Sequence, residues 1–231
     1  MNETLQVGPF LLKTYLLVST LSALAGYFVL RYRLKTAGYL DERIIETIEN
    51  SLIIALVVWK FSLILFDPVS VITNPLALLY FSGGERGSGL AVVVAIFYFY
   101  HRAQKDKVSV WVYGDLLTAG FLTATAVYYS IDLVENKLMV WVDGSEIIVA
   151  LLILLLIFWG SKEIGKPNHL NQVLLWFSLG QVGISFINPL KWNYWRGFSQ
   201  EQLHYLSLAV LSLAIDFILE KKLLNKMHKD A

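Results

Sequence analysis

Six stretches of this chain, over 9 to 30, 49 to 66, 109 to 131, 146 to 160, 170 to 188 and 201 to 219, stay apolar for all or most of the length a helix needs to cross a bilayer. That length is about 20 residues, because roughly 30 Å of hydrocarbon is crossed at about 1.5 Å per residue. A chain of 231 residues carrying so many such runs has no water-soluble core large enough to bury them. Composition points the same way: 56% of residues are apolar and 16% charged, where soluble domains carry about 25% charged. A seventh run, Leu90 to His101, is short for a span unless the Ser82 to Ser88 stretch before it also lies at membrane depth. The expected fold is therefore all-α: a polytopic integral membrane protein with seven transmembrane helices, a broken or re-entrant segment before the third, and a single domain over 1–231.

Orientation follows from lysine and arginine, which accumulate in cytoplasmic loops. Arg31, Arg33, Lys35, Arg43, Arg102, Lys105, Lys107, Lys162, Lys166, Lys221, Lys222, Lys226 and Lys229 fall on one side, thirteen in all, while Arg86, Lys137, Lys191 and Arg196 fall on the other. The basic side is expected to be cytoplasmic, which places the N-terminus outside and the C-terminus inside. A cleaved leader is not expected, because the residues before the first apolar run are acidic and the run continues to Leu30. Net charge is +1, so no basic field calls for a nucleic acid partner. Cysteine is absent, which excludes disulfides, thiol nucleophiles and thiolate metal sites.

The stretch between the second and third spans reads as a site. An apolar half-segment from Pro75 to Phe81 meets Gly83-Gly84-Glu85-Arg86-Gly87-Ser88-Gly89, and then the short run from Leu90. Irregular backbone at membrane depth is stable only against protein or a wet cavity. Glycines expose amides to an anion, and Arg86 adds a cation, so a lipid phosphate is the expected guest of a turn over Gly83 to Gly89. An ordinary loop with a surface arginine is the competing reading.

Several motifs together resemble the prolipoprotein diacylglyceryl transferases. Val7-Gly8-Pro9 followed by Tyr15, Val57-Val58-Trp59-Lys60 through Phe66, Asn74-Pro75-Leu76 to Gly83-Gly84, Val112-Tyr113-Gly114-Asp115 and Glu201-Gln202-Leu203 occur in that family's order and spacing. The resemblance implies a bacterial plasma-membrane protein of lipoprotein biosynthesis, moving diacylglyceryl from phosphatidylglycerol to the thiol of a lipoprotein precursor. It also implies where this chain departs. Lys60 stands for an arginine, the family histidine falls on Gly87 or Ser88, its signature arginine falls near Tyr129 and Asp132, and the arginine and glutamate of the sixth span fall on Gln181 and Ser185.

Charges inside spans mark function by default. Lys60 lies well inside the second span, where it binds lipid or pairs with Asp115 or Glu146. Lys13 and Asp216 read as residues reaching to the interface. The expected lipid-binding set is Tyr15, Lys60, Gly83, Gly84, Glu85, Arg86 and Tyr129, with phosphatidylglycerol as ligand. The partner is a lipoprotein precursor or another membrane protein. None of the four histidines has another at ligand spacing, so neither a metal nor a cofactor is expected. Two functions remain open: a divergent transferase, and a noncatalytic lipid-handling or partner subunit. A small transporter is a third, without an internal repeat to support it.

Overall fold

The computed structural model of the chain describes residues 4–7, 10–38, 42–75, 78, 84–135, 139–160, 164–188 and 197–227. Two short antiparallel strands, β1 (Thr4–Val7) and β2 (Phe10–Lys13), pair Thr4 with Lys13 and Val7 with Phe10. They are followed by α1 (Thr14–Thr36), α2 (Glu42–Phe66), α3 (Pro68–Thr73), α4 (Gly84–Asp106), α5 (Val110–Glu135), α6 (Val140–Gly160), α7 (Pro167–Ile187) and α8 (Gln200–Met227). Five of these are long and apolar enough to cross a membrane: α2, α5, α6, α7 and α8 over Gln200–Ile218. The described residues thus form mainly helices of membrane-spanning character, with one antiparallel strand pair near the N-terminus. Lys13, expected inside the first span, is instead the last residue of β2, because the helix begins only at Thr14.

Two compact units are distinguished, one of Met1–Tyr39 with Gly114–Ala231 and one of Leu40–Tyr113. In the first, α5, α6 and α7 meet through Ala119, Leu122, Ala126, Ala150, Ile153, Ile157 and Val173, with Phe158 and Phe177 packed against them. Lipid tails are as apolar as leucine, so close backbone approach and dispersion must hold such helices together. Gly26 illustrates this. A Cβ there would run into the carbonyl oxygen of Gly120, so α1 and α5 cross where neither carries a side chain.

In the second unit α2 packs along α4. The turn expected over Gly83 to Gly89 is not what forms. From Gly84, which takes φ +58°, the chain is already the continuous helix α4, and Gly83 lies outside the described residues. The expected re-entrant break is not seen in the described part of this stretch; what precedes it is the short helix α3, started by Asp67, whose Oδ1 accepts from the Ser70 amide at 3.3 Å. Tertiary packing overrides the weak helix propensity of glycine: Gly87 is buried, and a Cβ there would strike the Ser62 hydroxyl and approach the Trp59 carbonyl.

Candidate functional site: a polar cleft in the first unit

The N-terminal parts of α1, α6 and α8 and the C-terminal parts of α5 and α7 enclose a cleft of about 610 Å³. Its position follows from how each helix is started and stopped. Ser199 and Gln202 form a reciprocal cap on α8: the Ser199 amide donates to Gln202 Oε1 at 2.7 Å and the Gln202 amide to Ser199 Oγ at 3.2 Å. That cap fixes Glu201 and Tyr205 on the cleft wall. Asn188, another lining residue, closes α7 by donating its amide to the Ile184 carbonyl at 3.2 Å.

Glu146 of α6 and Gln181 of α7 meet across the cleft, with Gln181 Nε2 donating to Glu146 Oε2 at 2.7 Å. Glu146 is buried. A carboxylate and an amide on otherwise apolar helices are costly to keep in a membrane unless they face the protein interior or a wet cavity, as both do here. Around them stand aromatic rings. Tyr128 and Tyr129 sit edge to face at 5.5 Å, and Phe177 contacts both Phe121, at 6.4 Å, and Tyr205, at 6.1 Å. Ser22 of α1 lines the same cleft, is 3% exposed, and its hydroxyl has no hydrogen-bond partner among the described residues. Among the described residues the lining carries two acidic side chains, Glu146 and Glu201.

The opposite end of the same unit is closed by polar pairs. Arg33 near the end of α1 grips Asp115 near the start of α5 by two bonds, Nε to Oδ1 at 2.5 Å and Nη2 to Oδ2 at 3.1 Å, and both side chains are buried. The Arg33 guanidinium also lies 5.3 Å from the Phe158 ring centroid, and the Gly165 amide reaches Asp115 Oδ2 at 3.5 Å. Asn171 of α7 donates to the Ser212 carbonyl at 2.9 Å and to Asp216 Oδ1 at 2.7 Å, both on α8. Asp216, read from sequence as reaching for the interface, is thus held by a neighbouring helix, and Asp115, read as a partner for Lys60, is engaged by Arg33.

Of the residues singled out in the sequence, Tyr129 lines the cleft and Tyr15 is exposed on α1 of the same unit. Lys60 sits half-buried on α2, and Gly84, Glu85 and Arg86 form the exposed first turn of α4, all in the second unit. Sequence reasoning did not assemble Ser22, Glu146, Gln181, Glu201 and Tyr205 into a site. The signal was present in Glu146 and Gln181, polar residues within apolar runs, and in Gln181 standing where the family places an arginine.

The chain is 29% identical over 122 residues to a phosphatidylglycerol–prolipoprotein diacylglyceryl transferase of Thermus thermophilus, a match covering 50% of this chain and 41% of that protein. The chain therefore matches about two fifths of its relative's length. No family model matches. Together the apolar helices and this partial similarity describe a multi-pass membrane protein with distant likeness to a lipid-modifying enzyme.

Proposed function

We propose that this protein is a phospholipid-handling membrane protein built on a frame like that of the diacylglyceryl transferases, and that it holds a lipid head group in the cleft of the first unit. The observation that carries this reading is the Glu146–Gln181 pair inside a polar, aromatic-walled cleft set in apolar helices. On this reading α1, α2, α4, α5, α6, α7 and α8 are seven spans with the N-terminus outside. The cleft end, at the start of α1, α6 and α8 and the end of α5 and α7, then opens at the outer face of a bacterial plasma membrane, and the relative is named for phosphatidylglycerol and a prolipoprotein.

The cleft supports holding better than transfer. Moving a diacylglyceryl group requires a base to take the thiol proton and cations to hold the departing glycerol phosphate. Gln181 and Ser185 stand where the resemblance implies an arginine and a glutamate, and no described residue of the cleft lining is a lysine or arginine. Hydrogen-bond acceptors and donors for a head group are present in quantity.

A second reading keeps phosphatidylglycerol at Lys60, Gly83, Gly84, Glu85 and Arg86. It is favoured by Lys60, a half-buried cation on an apolar helix. Native mass spectrometry of the purified chain with phospholipids separates the two. The first reading expects Gln181→Leu to lower lipid retention and the Lys60→Ala and Arg86→Ala variants to retain lipid as the parent does; the reverse pattern overturns it in favour of the second. Transfer of diacylglyceryl to a lipobox peptide by the pure protein would overturn the noncatalytic part.

A further inference from the structure

Resting on the reading that the cleft holds a phospholipid, we propose that the Ser22 hydroxyl donates to an ester carbonyl of that lipid's glycerol backbone, so that the protein distinguishes ester-linked from ether-linked chains. The observation behind this is an unused donor. Ser22 lines the cleft, is 3% exposed, and its Oγ has no hydrogen-bond partner among the described residues. Serine and threonine inside a helix can satisfy themselves by bonding back to the carbonyl four residues earlier. Others on these helices do so: Ser19 Oγ donates to the Tyr15 carbonyl at 2.7 Å, Thr123 Oγ1 to that of Ala119 at 2.9 Å, and Ser178 Oγ to that of Leu174 at 2.8 Å. Ser22 makes no such bond to Val18. Thr47 and Ser212 also keep buried hydroxyls without partners among the described residues, but neither lines the cleft. A buried donor in this state is costly, and a carbonyl that meets it recovers the loss.

Position says which carbonyl. Gly26 and Gly120 bring α1 and α5 into backbone contact, with Ala124 beside Gly26. Ser22 stands one turn before that crossing on α1, and inward of Ala23 no described residue of α1 lines the cleft. The wall at this level is mostly hydrocarbon, from Ala23, Phe121, Ala124 and Phe177, with Thr125 as a second hydroxyl. The acceptor that suits it is a carbonyl flanked by apolar groups and bringing no N–H to be stranded among them. A fatty ester meets that description, whereas a peptide brings an amide with almost every carbonyl. Head group and ester also fall in the right order. Glu146 and Gln181 lie about 9 Å along their helices from the cleft ends of α6 and α7, and Ser22 about 12 Å from the start of α1. A lipid whose head group meets the Glu146–Gln181 pair therefore carries its ester inward, toward Ser22.

Two lipids that differ only at that linkage test this. The 231-residue chain in detergent is mixed with equimolar phosphatidylglycerol carrying ester-linked chains and its diether analogue of equal chain length, and retained lipid is read by native mass spectrometry. The parent should prefer the diester by about fivefold, the factor that corresponds to about 1 kcal/mol. Ser22→Ala should bring the ratio to about one while holding the diether as the parent does. In lipid-free protein the same variant should leave thermal stability unchanged or raised, because the hydroxyl removed has no partner to lose. Equal retention of the two lipids by the parent, or a preference that survives Ser22→Ala, overturns the proposal and leaves the phospholipid reading standing. Lowered stability of lipid-free Ser22→Ala also overturns it, since the hydroxyl would then be bonded within the fold. Retention of neither lipid by the parent overturns the underlying reading instead.

Discussion

The two ends of the first unit use the same materials, buried polar side chains on apolar helices, for opposite purposes. At one end Arg33 and Asp115 satisfy each other with two hydrogen bonds, Phe158 covers the guanidinium, and Asn171 ties α7 to α8 through Ser212 and Asp216. Charge there is balanced within the Arg33–Asp115 pair. At the other end Glu146 and Glu201 share a cleft with Gln181, Ser22 and tyrosines. Polar groups that neutralise one another inside a membrane protein hold helices in place; polar groups that line a cleft are placed to meet a ligand. The same residue types therefore predict different phenotypes according to which end they occupy.

Breaking the closed end should give the largest effect. Asp115→Asn leaves the Arg33 charge buried without its counter-ion, and removing one partner of a buried pair costs about 3–5 kcal/mol. Thermal unfolding in detergent should show that loss, while the double replacement Arg33→Met with Asp115→Leu should recover most of it. A similar cost for the double variant would mean that the pair, rather than the orphaned charge, carries the stability. Next comes Gly26→Leu, which drives a side chain into the Gly120 backbone between α1 and α5. Overpacking of this kind costs about 1–3 kcal/mol, and unchanged stability would contradict the close crossing.

The smallest effect belongs to an exposed site in the other unit. The Asp67 carboxyl is held below its ordinary value of 3.8 by its hydrogen bonds from the Ser70 side chain and amide. A depressed value means that the cap's contribution is complete above the ordinary value and is lost as pH falls through the lower folded one. Hydrogen exchange should accordingly show α3 amides losing protection in strong acid, and Asp67→Ala should show the same loss at neutral pH. Lipid retention should be unaffected. If protection in α3 survives both changes, the cap is not what starts that helix.

Much of the frame was readable because hydropathy reports the solvent directly. Five expected spans correspond to α2, α5, α6, α7 and the first part of α8, with boundaries moved outward by several residues wherever polar helical turns continue past the apolar run. The glycine-rich stretch misled for a physical reason. Glycine permits a turn, but it also permits contact between helices, and only a neighbouring surface decides which use applies; Gly87 against Ser62 and Trp59 is that surface. The pairing of Arg33 with Asp115 was hidden because the two are far apart in sequence, and Arg33 at the end of an apolar run reads as a loop charge. Glu146, Gln181 and Tyr205 lie on three helices, so no local spacing links them, and the cleft becomes visible only when the helices are packed.

Photo-crosslinking from the head group tests the cleft most directly. A phospholipid carrying a photoactivatable group on its head is irradiated with the membrane-embedded protein, and labelled peptides are identified by mass spectrometry. Labelling should concentrate on the peptides of α5, α6, α7 and α8 that contain Tyr129, Glu146, Gln181 and Tyr205, and Gln181→Leu should diminish it. Labelling concentrated instead on the peptides containing Lys60 and Arg86, and indifferent to Gln181, would contradict the account.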